Sequence, residues 1–305
     1  MTRRRRARSS RPWLGSLALA ALWPVGGLLA HLPAPLGLWI GRRLGDVAWA
    51  VLPGRRAVVL DNLARAFGDE RTRAELGGIG RRCFQHLGMS LVESCTFLFR
   101  PPAVLLRRVE VRGGEHAEAA AAQGRGLLAL TAHFGNWELL AASHVLERWP
   151  LSVMVRPLDS WLLDPLIERF RLRSGVELIA KRHGLRDALD ALRRGRMVGI
   201  LLDQNASRRE GVFAPFFGIP ASTSRGMAVI ALRSGAPVLP VFIRRLPGGR
   251  HVVRFEPPVP VPDGGDAVAY TAAFNRAIEA AIREAPEQWF WLHRRWKTRP
   301  AEELV

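Results

Sequence analysis

The stretch that decides the fold is Leu127–Leu140, LLALTAHFGNWELL. Leu127–Ala132 is uncharged and of strand length, the pattern of a strand covered on both faces. Gly135 allows a tight turn, Asn136 suits a helix N-cap, and Glu138 falls in the first helical turn, where the dipole favours a carboxylate. A strand that breaks into a turn and then a helix is the first half of a βαβ unit. Outward from it the alternation continues. Strands are predicted at Ser152–Val155, Val176–Ile179, Val198–Leu202, Val238–Ile243 and Val252–Phe255. Helices are predicted at Asn136–Arg148, Asp164–Arg173, Gly184–Arg194, Ser224–Arg233 and Val268–Glu284. This is the signature of an α/β domain with a mixed, largely parallel sheet flanked by helices.

Ahead of it, residues 42–108 carry apolar residues at three- and four-residue spacings over Val58–Phe67 and Ile79–Phe99, until Pro101-Pro102 breaks the pattern. The N-terminus reads differently. Residues 2–11, TRRRRARSSR, are densely basic, and residues 12–41 contain no Asp, Glu, Lys or Arg. Trp13–Ala30 can form a spanning helix kinked at Pro24, with Trp13, Trp23 and Trp39 as interface anchors. A cleaved secretory signal and a twin-arginine export signal share the charged start, but no small-residue cleavage site stands out before Pro33. An uncleaved helical membrane anchor, spanning or interfacial, is the expectation. It divides the chain into a basic anchor, 1–41, and an α/β domain with a helical lead, 42–305.

The chain is strongly basic: 45 Lys+Arg against 27 Asp+Glu give a net charge of +18, which calls for an anionic partner. No zinc-ligand spacing, RNP-like motif or basic heptad array supports nucleic acid, so a membrane or phospholipid surface is expected. The two cysteines, Cys83 and Cys95, have no metal-like companions and read as reduced core thiols.

Ligands of open α/β sheets gather at the carboxyl ends of the strands, where His133 falls. Imidazole titrates near neutrality and can take a proton from an alcohol, with Glu138 as its orienting partner. The Gly135–Asn136 break lets two side chains five residues apart meet, which one continuous helix would not. A satisfied strand-end His, a capping Asn and a helix-start Glu account for the same letters without chemistry. A second strand end, Asp203-Gln204-Asn205, is followed by Arg208, Arg209, the Phe-rich run Gly211–Gly218 and Ser222-Thr223-Ser224 leading into a helix. These groups suit an anion pocket, while Phe213, Phe216 and Phe217 suit an apolar wall or the core equally. Arg156 ends a further strand at the same rim. Asn136, Arg156, Asp203, Arg208, Arg209 and Ser224 are thus the candidate substrate-binding residues.

HFGNWE at His133–Glu138 resembles the catalytic block of the bacterial lipid A late acyltransferases, within the wider glycerolipid acyltransferase superfamily. Asp203–Ser224, Ala236–Arg245 and PEQWFWLHRRWKTRP at Pro286–Pro300 are similar to further blocks of that family, in the same order. The resemblance runs from about Leu36 to Pro300 and implies transfer of a fatty acyl group from a thioester, acyl carrier protein or coenzyme A, to a glycolipid hydroxyl at the cytoplasmic face of the inner membrane. It makes His133 the base and Glu138 its partner, gives Asn136 or main-chain amides the oxyanion, and requires no metal, cofactor or acyl-enzyme. It places phosphates or an acidic carrier on Arg156, Arg208 and Arg209. Asn205 and Ala206 depart from the usual second block, which bears on acceptor details. A related branch acylates phosphatidylinositol mannosides. A hydrolase with water as acceptor and a non-catalytic basic membrane-binding protein are the rival readings. In the C-terminal block, Arg294, Arg295 and Lys297 are expected to face lipid while some of the tryptophans pack inward.

Overall fold

The computed structural model describes residues 23–145, 149–155, 173–180 and 184–300. Residues 23–31 are helical (α1), followed by α2 (Ala34–Val51), α3 (Pro53–Phe67), the long α4 (Arg73–Phe99) and α5 (Ala103–Leu106). Thr72 and Glu75 cap the start of α4 reciprocally, side chain to main chain in both directions. Helices α2 and α4 touch backbone to backbone. A Cβ added at Gly45 would lie 2.4 Å from the Gln85 Cα, and one at Gly88 would lie 2.1 Å from the Gly41 carbonyl oxygen. Gly37, Gly41 and Gly45, spaced four apart, are therefore the buried stripe of α2. Its opposite face carries exposed Leu36, Trp39, Leu44, Val47 and Val51.

The α/β part runs β1 (Val109–Arg112), α6 (Gly114–Ala121), β2 (Leu127–Thr131), α7 (Trp137–Ala142), β3 (Leu151–Val155), β4 (Glu177–Ala180), α8 (Gly184–Arg193) and β5 (Met197–Leu201). There follow β6 (Gly211–Phe216), β7 (Ile219–Ser224), α9 (Gly226–Ser234), β8 (Val238–Arg245), β9 (His251–Phe255) and α10 (Ala267–Glu284). Seven strands form one sheet in the order β1-β9-β8-β2-β5-β3-β4. Strands β8, β2, β5, β3 and β4 are parallel, and β9 turns back antiparallel to β8 with β1 parallel to it. The sheet is thus mixed and largely parallel, as the alternation predicts. Every residue of β2 is buried. Leu128 and Leu130 enter the core on one sheet face, and Leu127 and Ala129 the core on the other.

One expectation changes. The Phe-rich run and Ser222–Ser224 form the antiparallel β6–β7 ribbon, and α9 begins at Gly226 directly after it, so Ser224 does introduce a helix but from the end of a strand. Phe217 and Gly218 at its tip have φ of 52° and 74°, as a two-residue hairpin turn requires. Phe216 and Phe217 are buried core residues, which is the plainer of the two readings weighed for them. The spanning helix expected over Trp13–Ala30 lies mostly outside the described residues. Among the described residues no helix is long and apolar enough to cross a membrane.

Candidate active site

Strands β2 and β5 are neighbours, with Thr131 opposite Leu201. Two residues beyond each lie His133 and Asp203. The main-chain N–H of His133 donates to Asp203 Oδ2 at 3.0 Å, and its ring Nδ1 lies 2.9 Å from Asp203 Oδ1. The Trp289 indole N–H donates to Oδ2 at 2.7 Å. Burial would push the Asp203 carboxyl up, but the charge and hydrogen bond of the His133 ring, with the Trp289 bond, leave it below its ordinary value. A carboxylate only accepts, so the His133 proton sits on Nδ1 and the Nε2 lone pair is free to take another. The His133 side chain is 22% exposed, and the amide N–H of Gln204, an exposed residue, donates towards Nε2 at 3.3 Å. Trp137 and Phe290 flank the ring at 5.3 and 6.1 Å.

The sequence offers Glu138 as the orienting partner of His133; in the structure the carboxylate hydrogen-bonded to the ring Nδ1 is Asp203. Glu138 is half-buried in the first turn of α7. Asp203 is correspondingly not a substrate contact: it is buried and committed to His133 and Trp289. Asn136 is the N-cap, as predicted, with its Oδ1 accepting from the Leu139 N–H. Its Nδ2 donates to Glu93 at 2.7 Å, and burial takes it away from the acceptor and from an oxyanion. Arg208 and Arg209 are exposed in the turn before β6, and Ser224 ends β7, accepting from the Gly226 N–H at 3.3 Å. Arg156 and Trp13 lie outside the described residues. Trp23 packs on Phe99 at 4.5 Å and stays 38% exposed.

The loop carrying His133 is held from behind. Gly135 has φ of 60°, and a Cβ there would lie 1.8 Å from the Ile243 carbonyl oxygen, so only glycine fits. Its N–H donates to the Gln288 carbonyl at 2.9 Å, Phe290 N–H donates to the His133 carbonyl at 2.9 Å, and Phe134 pairs with Trp289. The C-terminal block is therefore structural. Trp289, Trp291 and Trp296 are all buried. Arg295 does not face lipid: it is fully buried, donating to Ser222 O at 2.8 Å and to Thr223 Oγ1, above the Phe216 ring. Arg294 and Lys297 are exposed.

Sequence reasoning missed the buried network behind the loop. Glu93 accepts from Asn136, from Arg245 and from His251 Nε2 at 3.0 Å. Gln288 brackets Arg245 with two main-chain hydrogen bonds of 2.8 and 3.0 Å. A lone carboxylate inside the apolar run LVESCTFLF was the available signal, since an unpaired Glu is almost never buried.

Beneath α7 and against one sheet face lies an apolar slot. Its lining includes Trp137, Leu140, Thr131, Ala129, Met197 and Gly199. It runs from the carboxyl ends of β2 and β5 towards their start, and Trp137 joins it to His133.

A histidine held by a buried carboxylate at the strand ends, beside a slot of hydrocarbon character, is compatible with an enzyme that acts on a lipid. Residues 1–298 match the model of the bacterial lipid A biosynthesis acyltransferases, and the chain belongs to that family. It is 35% identical over 292 residues to the lipid A biosynthesis lauroyltransferase of Escherichia coli K12, covering 95% of this chain and 93% of the relative. It is 33% identical over 297 residues to the lipid A biosynthesis palmitoleoyltransferase of the same organism, covering 96% and 94%. The phosphatidylinositol mannoside acyltransferase of Mycolicibacterium smegmatis is 26% identical over 305 residues, covering 92% and 95%. The protein is an acyltransferase.

Proposed function

We propose that the enzyme moves a fatty acyl group from acyl carrier protein to a hydroxyl of a lipid A precursor at the cytoplasmic face of the inner membrane. The observation that carries this is the His133–Asp203 pair, with Nε2 turned outward beside Gln204 and an apolar slot reached through Trp137. His133 Nε2 removes the acceptor hydroxyl proton as the oxygen attacks the thioester carbonyl carbon. Asp203 stabilises the imidazolium. The oxyanion is assigned to the Gln204 amide, a donor already at the reacting nitrogen. Collapse breaks the carbon–sulfur bond, the ester leaves, and the thiolate takes the proton back from His133. Glu138 keeps its place in the family motif and is assigned a second electrostatic role beside the base. The net charge of +18 suits both an acidic carrier and an anionic lipid. The apolar outer face of α2, with Trp23, and the exposed Arg294 and Lys297 support a membrane-facing side.

The test supplies labelled acyl carrier protein with a lipid A precursor lacking its late acyl chains. An ester product is expected, and His133→Ala should lower its formation at least about 100-fold while folding is retained. Free acid without acceptor, esterification of a phosphatidylinositol mannoside alone, or full activity of His133→Ala would overturn the reading.

A further inference from the structure

A second cavity, of about 370 Å³, opens between the N-terminal helices and α4. It lies at the same end of the sheet as His133. Strand β8 ends there at Arg245, β9 begins at His251 opposite it, and β1 follows directly after Arg108. One wall is apolar, formed by Leu29, Leu32 and Leu38 from the N-terminal segment and Val92 from α4. Arg100 and Arg108 contribute to the other. Among the described residues no carboxylate pairs with either guanidinium. Both side chains are half-buried, so the charge is brought into a concave site without a counter-ion. His31, exposed at the rim, adds a third nitrogen-bearing group. Glu93 also lines the cavity, but Arg245 and His251 already match its charge. The balance of the cavity is cationic.

A cationic wall facing a leucine wall fits an anionic amphiphile, with its head on the arginines and its chain on the leucines. Exposed Leu28, Leu36 and Trp39 on the same N-terminal helices give this part of the molecule further apolar surface. Guanidinium groups favour phosphate through paired, charge-assisted hydrogen bonds. We propose that this cavity binds the phosphate of a lipid through Arg100 and Arg108. The lipid's role, as acceptor or as bilayer neighbour, rests on the acyl-transfer reading; the binding itself does not. Glu93 ties the cavity to the reaction, because the same carboxylate that lines it holds Asn136 at the catalytic loop.

The full chain, with Arg100→Gln and Arg108→Gln combined, is compared with wild type by calorimetric titration of dihexanoyl phosphatidic acid below its micellar concentration. Inorganic phosphate is the comparator. Arg186→Gln with Arg193→Gln, on α8, removes the same charge elsewhere. Circular dichroism checks that each variant folds. Losing two charge-assisted contacts should weaken the short-chain lipid about tenfold or more, leave the α8 control unchanged, and find inorganic phosphate weaker throughout. Equal binding by wild type and the cavity variant overturns the proposal. So does an equal loss in the α8 control, or inorganic phosphate binding as tightly as the lipid. Two further arms separate the sources. A KM for the glycolipid acceptor that rises in detergent, with kcat largely kept, assigns the phosphate to the acceptor. An unchanged KM, with reduced flotation on phosphatidylcholine vesicles containing phosphatidylglycerol, assigns it to the bilayer. If neither moves, the proposal fails. Binding needs no turnover, so a chain that binds the probe but transfers no acyl group overturns the functional reading alone.

Discussion

Asp203 accepts from three directions: the ring of His133, its main-chain N–H and the Trp289 indole. Such a carboxylate fixes both the tilt and the tautomer of the imidazole. Asp203→Asn would present an amide that can donate to Nδ1, placing the ring proton on Nε2 and blocking the base. By analogy with other His–Asp pairs, kcat should fall by roughly 10²–10⁴-fold with little change in KM for the acceptor. Steady-state assays decide it; a variant with near-normal kcat would remove Asp203 from the mechanism. His133 was legible from its own neighbourhood, because a titratable group ended a buried run. Its partner was not. Asp203 lies 70 residues away and meets His133 only because β5 lies next to β2 in register. Strand order is not written in local periodicity, which offers only the nearest carboxylate in sequence, Glu138.

Among the elements, α2 and α4 depend on the absence of side chains where they cross. Gly45→Ala places a methyl group 2.4 Å from both the Gln85 Cα and the Phe84 carbonyl oxygen, atoms that cannot swing aside. It should cost about 1–3 kcal/mol in chemical denaturation, whereas Gly54→Ala, with open space around it, should not destabilise. Gly199 plays the opposite part. A Cβ there meets Leu151 and Val153 at ordinary distances of 3.6 and 3.7 Å, so the strand accepts a larger residue, which then enters the slot. Gly199→Val should shift donor preference towards shorter chains. Each excluded methylene is worth about 1–3 kcal/mol of discrimination, so the longest accepted donor should lose at least roughly tenfold in kcat/KM. Competition between acyl carrier proteins of different chain length would measure it, and an unchanged profile would show that the slot does not hold the chain. The parallel strands and α10 were legible because burial on both faces, or on one helical stripe, leaves a strong pattern. The β6–β7 ribbon was not: Pro215 and Pro220 face each other in it, and proline argues against a strand except in a ribbon with free edges. Strand β1 was missed for its brevity and for Glu110 and Arg112 within four residues.

On the scale of the whole molecule, burying the network behind the catalytic loop makes stability depend on pH. Burial, with Arg245 beside it, pushes His86 down to about 3, so it stays neutral in the folded chain but binds a proton on unfolding below its ordinary 6.5. Stability is therefore lost as pH falls from about 6.5 towards 3, by on the order of 2 kcal/mol at pH 4.5. Glu93 acts in the same direction at lower pH. Burial raises its pKa, but Arg245 and His251 outweigh that and hold it near 2, below its ordinary 4.5. Thermal melts should show the midpoint falling between pH 6.5 and 4.5, and His86→Gln should flatten that segment. An unaltered slope would mean that His86 is charged in the native state. Charge and hydropathy lead to the expectation of an anionic lipid partner but do not reveal that Arg295 is used inside the protein, because a basic residue in a tryptophan-rich stretch looks the same whether it meets phosphate or a buried carbonyl.

The pairing of Gln288–Phe290 with the His133 loop has a consequence for biosynthesis. More than 150 residues separate His133 from the segment that props up its loop. A ribosome must release the chain through Phe290 before the His133 loop acquires its brace and Asp203 the Trp289 hydrogen bond. A nascent chain that stops short of Trp289 therefore carries His133 and Asp203 without the contacts that hold them in place.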